Sequence, residues 1–452
     1  MSNQVEPNRE DARNSLCPNR LRRLSASGKV TKPQTVQWMG VPQAEGARRR
    51  GGLPLSAVWL APALGLALLA GCSEEAASPP SSSPPAQERG KTAAPSAAPS
   101  ANTAPHAGNP SAFPYTVEVA AEGLNVPWEL VFAPDGRAFL TERPGQIRVM
   151  KNGVLEAEPV FKFTDPFLSR GEGGLLGLAL DPRFADNRYM YVYHSYGEDG
   201  QVQNRVLRLK ETAGGIVLDR VLIKNIPGDT NHNGGRIRFG PDGMLYVTTG
   251  ERYEPELAQD RASLGGKLLR LQPDGAIPAD NPFPGSPVYS WGHRNPQGLA
   301  WQPGTGALFS SEHGQSAHDE LNRIEPGANY GWPLIEGDKT GEKGGTPLRP
   351  PLLHSGKETW APSGMTFVTR GPWAGRLVIA QLRGQQLMSV RLEGPQSDRV
   401  AAAELWLQGV YGRLRSVTEG PDGSLYILTN NRDGRGTPAS GDDKLLRLSL
   451  RP

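Results

Sequence analysis

The residues best equipped for chemistry fall in three short stretches. The first is Asn231-His232-Asn233-Gly234-Gly235-Arg236. An imidazole titrates near neutrality, so His232 can take a proton from a hydroxyl without carrying charge beforehand, and paired glycines let the backbone approach a flat ligand closely. The second runs Trp291-Gly292-His293-Arg294-Asn295-Pro296-Gln297-Gly298-Leu299, then Ser311-Glu312-His313-Gly314 and Asp319-Glu320-Leu321-Asn322. Donors and acceptors at this density are costly to bury unless a polar ligand satisfies them. Asp319, Glu320 and nearby carbonyls are hard oxygen ligands suited to calcium, whereas the Cys and His spacing of a zinc site does not occur after residue 113. The third is Tyr411-Gly412-Arg413-Leu414-Arg415-Ser416-Val417. Residues two apart on a strand face one side, so Arg413 and Arg415 form a pair of cations suited to carboxylates. Each group has a plainer reading alone: a turn-capping histidine, acidic residues in a solvated loop, arginines on a solvated strand. Their joint occurrence points to a site.

Something must bring these stretches together, and the chain between them is repetitive. Ala133-Pro134-Asp135-Gly136, Gly240-Pro241-Asp242-Gly243 and Gly420-Pro421-Asp422-Gly423 each precede a short apolar, β-branched or aromatic run, with weaker echoes at Asp181-Pro182, Gln302-Pro303 and Pro372-Trp373. Six echoes at roughly 45- to 70-residue intervals suit four-stranded units. The expected fold of 113–452 is therefore all-β, a six-bladed β-propeller of four-stranded antiparallel blades; a β-sandwich would not need so many turns. Each turn is expected to lead into an inner strand. Leu245 and Val247 should face one neighbouring blade, and Tyr246 and Thr248 the other.

Composition agrees. Of 452 residues, 37% are hydrophobic and 21% charged, with 55 Gly and 42 Pro, which favours short strands and many turns over a helical bundle. A net charge of +3 without a long basic run beyond the N-terminal region leaves no electrostatic footprint for nucleic acid. The two cysteines, Cys17 and Cys72, lie outside the expected propeller. Arg48-Arg49-Arg50, the apolar stretch 53–69 and Leu69-Ala70-Gly71-Cys72 read as a secretory signal over 39–71 that resembles a bacterial lipobox. That resemblance implies lipidation of Cys72 and an exported lipoprotein, membrane-anchored and facing the periplasm or cell exterior. A spanning helix is the other reading, against which stand the shortness of the stretch, Pro54 and Pro62. Residues 72–112, rich in Ser, Pro and Ala, read as an extended disordered linker. Residues 1–38 are polar and arginine-rich, and also read as sequence upstream of the true start at Met39.

The motifs together carry a resemblance covering essentially all of 113–452. Collinear matches at 171–177, 232–236, 265–271, 292–298, 319–332, 361–364 and 413–415 resemble the aldose sugar dehydrogenase and soluble glucose dehydrogenase family, quinoproteins that use pyrroloquinoline quinone. The resemblance implies a six-bladed propeller with the quinone across the mouth of its channel, and oxidation of an aldose at its anomeric carbon to a lactone. It implies that His232 is the general base, with Arg294 and Asn295 beside the reacting quinone carbonyl and Arg413 and Arg415 on the quinone carboxylates. Glu172, Asn231, Gln259, Leu382 and Arg383 are implied cofactor contacts. Gly314 and Gln315 carbonyls are implied ligands of the cofactor's calcium, and Glu320 with the Tyr330 carbonyl of a second calcium. An aldose substrate, a membrane reached through the lipid anchor and an electron acceptor of quinone or cytochrome type follow as partners.

Three positions depart from the family pattern: Glu172 stands where Gln is common, Asn231 where the glucose-specific branch has Asp, and Gln315 where Pro is found. An ionised Glu172 should repel a polycarboxylate. Two other classes stay open: a propeller that binds carbohydrate or protein without redox chemistry, and a calcium-dependent lactonase, which would need carboxylates pointing into the channel.

Overall fold

The computed structural model describes residues 104–450, so Cys72, the signal stretch and most of the linker lie outside the described residues. Among the described residues the backbone forms six sheets of four or five strands, in the arrangement of a six-bladed β-propeller, and a separate two-stranded hairpin of Glu342–Lys343 and Thr346–Pro347. Blade 1 is built from Pro127–Phe132, Ala138–Glu142, Gln146–Lys151 and Val154–Leu155. Blade 2 runs Leu175–Leu180, Tyr189–Glu198, Gln201–Thr212, Gly215–Pro227, and blade 3 Ile237–Phe239, Leu245–Thr249, Lys267–Leu271, Val288–Trp291. Blade 4 is Pro296–Trp301, Leu308–Glu312, Glu320–Ile324, Leu353–His354, and blade 5 Pro362–Phe367, Leu377–Gln381, Gln386–Glu393, Arg399–Trp406. Blade 6 takes Leu414–Glu419, Leu425–Thr429 and Leu445–Leu450 from the C-terminal end, and its outer strand, Tyr115–Ala121, from the N-terminal end. Ahead of Phe113, within the stretch expected to be linker, His106–Ala107 adds a short parallel strand to blade 5.

The recurring Pro-Asp-Gly turns are made by their own side chains. In blade 3 the Asp242 carboxylate accepts the Met244 N–H at 3.1 Å and the Tyr246 hydroxyl at 2.9 Å, while Gly243 takes φ +74°, which glycine adopts without strain. Asp422 repeats the device in blade 6 with Ser424 and Tyr426. Each such turn leaves the first strand and leads into the second, one strand further from the axis than the innermost, because first strands of successive blades pack against one another around most of the ring. Leu245 and Val247 join one inter-blade core and Tyr246 another, so both faces of the strand are buried.

The axis is polar. Arg236, fully buried before the first strand of blade 3, pairs with Glu129 of blade 1, donates through Nε to the Gln297 carbonyl at 2.8 Å and lies over Trp128. Ser416 of blade 6 donates to the other Glu129 oxygen, and Arg415 reaches the Gln297 side chain at 2.7 Å. Thr141 of blade 1 donates to the Leu176 carbonyl of blade 2 at 2.6 Å. These contacts cross-link the blades.

Blade 2 also buries His194, whose Nε2 accepts from Arg205 Nε at 3.0 Å, leaving Nδ1–H to donate to the Ser195 carbonyl at 2.8 Å. Burial pushes its pKa down to about 3. The unfolded chain therefore binds a proton near pH 6.5 that the folded chain refuses, and stability should fall as pH drops from about 6.5 towards 3, by up to about 1.4 kcal/mol per unit. Chemical denaturation of His194→Phe across that window should show a shallower pH slope than the parent; equal slopes would contradict the assignment.

Candidate active site

Glu172, His232, Arg294, Ala361 and Arg413 each sit just before the first strand of a blade. First strands pack side by side around most of the ring, the first strand of blade 4 meeting the second of blade 3, so residues at their entrances converge on one end. Two adjoining cavities open there, of about 420 and 300 Å³, sharing Glu172, His313, Ala361, Arg383 and Arg435 in their walls.

His232 lines the smaller cavity. Its Nδ1 lies 2.8 Å from Glu251 Oε2, and both side chains are nearly sealed from solvent. With Glu251 ionised, the network assigns the proton to Nδ1, which leaves Nε2 as the free basic nitrogen. Glu251 follows the second strand of blade 3, whose antiparallel course returns it to the entrance where His232 begins the blade. The same Glu251 oxygen accepts the Tyr253 N–H at 3.0 Å, and the Tyr253 ring lies 4.0 Å from the imidazole. His232, Arg252 and Tyr253 all take left-handed backbone conformations (φ +56°, +50° and +64°). Such conformations cost non-glycine residues energy and persist where surrounding contacts over-determine them. A histidine oriented by a buried carboxylate can act as a general base.

The larger cavity is walled by Arg143, Arg383, Arg413, Arg415 and Arg435, and Arg294 stands on the smaller one. Against these six guanidiniums the walls offer three carboxylates, Glu172, Asp319 and Asp433. Asp433 is taken by Arg413 through two bonds of 2.9 and 2.8 Å. Asp319 accepts backbone N–H groups of Gly314, Trp360 and Ala361. Burial pushes Arg415 down to about 9, Asp433 opposing and neighbouring arginines adding to the effect. Arg143 Nε, Arg294 Nε and His313 Nε2 are buried with no partner among the described residues. Burial pushes His313 down to about 3, which leaves it neutral. A cavity with surplus cations and orphaned donors fits a flat polycarboxylate such as pyrroloquinoline quinone.

The expected repulsion by Glu172 is offset locally. One carboxylate oxygen pairs with Arg435, whose other nitrogen reaches Asn231, and the second accepts the His232 N–H at 3.1 Å. Burial pushes the Glu172 carboxyl up, but the charge and hydrogen bond of Arg435, together with the neighbouring His313 and His232, outweigh it and hold the group at about 2.

The remaining expected residues divide. Leu382 and Arg383 line the larger cavity. Gly314 and Gln315 line the smaller, the Gly314 carbonyl accepting Arg294 Nη1 at 2.6 Å. Asn295 is not a wall residue but stands behind, accepting the Gly234 N–H at 3.0 Å, with its amide 3.4 Å from His313 Nδ1. Gln259 is outside both walls and bonds Asn329 and the Trp332 carbonyl instead. Glu320 and Tyr330 lie away from the cavities, in the third strand of blade 4 and in the segment between its third and fourth strands. Glu320 is the cross-strand partner of Glu312, and Asn322 Oδ1 is buried without a partner among the described residues. Burial and the facing Glu312 push Glu320 up to about 8. Glu312 is buried and bonded to His293 and to the Arg294 N–H, and Glu320 is half-buried; with the orphaned amide oxygen they are hard oxygens of the kind calcium takes.

Residues 124–447 match the family described as Glucose / Sorbosone dehydrogenase. The aldose sugar dehydrogenase YliI of Escherichia coli is 35% identical over 341 residues, covering 70% of this chain and 91% of that protein. Among solved structures, an oxidoreductase from Thermus thermophilus described as a glucose dehydrogenase is similar at 49% identity and TM-score 0.68, over 74% of this chain and 99% of that one. The pyrroloquinoline quinone-bound aldose sugar dehydrogenase of Streptomyces coelicolor is similar at 40% identity and TM-score 0.66, over 75% and 98%. On its sequence, its six blades and the residues at their entrances, the chain belongs to the glucose/sorbosone dehydrogenase family.

Proposed function

We propose that this protein is a pyrroloquinoline quinone-dependent aldose dehydrogenase that oxidises the anomeric carbon of a sugar to a lactone. The observation that carries the reading is the His232–Glu251 dyad opening beside an arginine-walled cavity. Arg413, Arg415 and Arg383 would hold the quinone carboxylates, with Arg143 as an addition from the turn after the second strand of blade 1. Bound there, the quinone supplies the acceptor for the hydride leaving the anomeric carbon. His232 Nε2 takes the proton of the anomeric hydroxyl while Glu251 steadies the imidazolium that forms. Arg294 presents a guanidinium to negative charge developing on oxygen, and Asn295 holds the His232 loop through Gly234. The lactonase alternative loses ground because the carboxylates there are already engaged: Glu172 by Arg435, Asp433 by Arg413, Asp319 by three backbone N–H groups and the axial Glu129 by Arg236. The Cys72 anchor, an exported location and a quinone or cytochrome acceptor remain part of the proposal on the sequence signals given above.

Adding quinone and calcium to the purified protein, then an aldose, should change the absorbance of the bound cofactor. A spectrum unmoved by sugar would favour a binding propeller. Calcium support comes from the Glu312, Glu320 and Asn322 oxygen set. A ligand that binds only the folded state raises its apparent stability. Chelation should therefore lower Tm by about 3–10 °C, and re-addition of calcium should restore it. Indifference to chelator would sink the calcium sites.

A further inference from the structure

Arg435 lies on the 430–444 segment between the second and third strands of blade 6, flanked by Gly434 at φ +91° and by Gly436, where a Cβ would run into the Asn431 backbone and the Arg413 side chain. From there it spans the mouth. Its guanidinium meets Glu172 at the entrance to blade 2 and Asn231 at the entrance to blade 3, and Glu172 in turn holds the backbone N–H of the base His232. Arg435 and Glu172 are the charged pair common to both cavity walls. Three loops from three blades are thus tied by one ion pair at the place where a polycarboxylate and a sugar would meet.

We propose that Arg435 is a binding determinant of this site, the counter-charge that makes an acidic Glu172 compatible with a polycarboxylate cofactor. The inference rests on the function proposed above. With Arg435 in place, Glu172 keeps its hydrogen bond to the His232 amide at no net cost in local charge. Without it, a largely buried anion would face the incoming carboxylates, and like charges at a few ångströms in a partly desolvated site oppose each other strongly. The Arg435 side chain is 52% exposed, so the pair is partly screened and its effect should weaken as salt rises.

The test is a charge-rescue cycle read by quinone binding, followed by calorimetry or fluorescence quenching with calcium present and sugar absent. Arg435→Ala should weaken quinone affinity by about ten- to a hundredfold at low salt, and less at high salt. Glu172→Gln alone should bind at least as tightly as the parent. The double variant should recover most of the loss, an outcome that a purely packing role for Arg435 would not produce. If Arg435→Ala binds normally, or if Glu172→Gln fails to rescue it, the proposal is wrong. A parent protein that binds no quinone overturns the proposed function instead. The counter-charge role is then judged on cofactor-free stability, which Arg435→Ala should lower and Glu172→Gln should restore; no loss, or no rescue, would remove it.

Discussion

Turnover of His232→Gln should fall by about 10² to 10⁴ while the cofactor still binds. Gln keeps a polar side chain of similar reach but has no basic nitrogen to accept the hydroxyl proton. The geometry sharpens the expectation, because Glu251 Oε2 occupies Nδ1 at 2.8 Å and leaves Nε2 as the single nitrogen open to substrate. A glutamine amide can still donate to Glu251, so the loop should hold its shape and the loss should appear in kcat rather than in quinone affinity. Measuring kcat on fully loaded enzyme, with quinone content verified by absorbance, separates the two. Near-normal turnover would remove the base assignment.

The second large effect is on stability. Arg236→Met should cost about 3–5 kcal/mol, since it leaves the Glu129 carboxylate buried at the propeller axis without its cation. Arg236 is fully buried and Glu129 nearly so, and the arginine also satisfies the Gln297 carbonyl and packs on Trp128. Glu129→Gln together with Arg236→Met removes both charges, so it should recover part of the loss. Denaturant midpoints of the two variants give the comparison. A single variant within about 1 kcal/mol of the parent would show that the axial pair contributes little.

Much of this architecture can be read from sequence, for local reasons. Pro-Asp-Gly punctuation works through side chains two to four residues away, as Asp242 does with Met244 and Tyr246, so it survives in a linear reading. The alternation of Leu245, Tyr246 and Val247 is equally local. His232, Arg294, Arg413 and Arg415 were legible because they lie in dense motifs. Glu251 was harder, for it is an ordinary carboxylate in a turn until the antiparallel return of the second strand sets it beside His232. Arg435 and Asp433 were not legible at all. The partners Glu172 and Arg435 lie 263 residues apart in the chain, and only closure of the ring brings them within bonding distance. Gln259, a cofactor contact implied by the resemblance, stands outside both cavity walls, where its amide bonds Asn329 and the Trp332 carbonyl.

The sixth blade has a consequence for the order of events during synthesis. Among the described residues, Tyr115–Ala121 is one of the first strands to emerge, and it pairs with Leu445–Leu450, the last. Until Leu445–Leu450 is available, this strand has no mate in blade 6, and the blade is incomplete. Contacts between such distant segments are slow to form, and an unsatisfied strand edge is prone to pair with the wrong chain. Blades 1 to 5 draw their four antiparallel strands from contiguous stretches and can assemble as they appear, so the waiting N-terminal strand sets the interval of greatest exposure to aggregation. Val117 and Tyr115 of that strand pack on the blade 6 core only after the last turn is made.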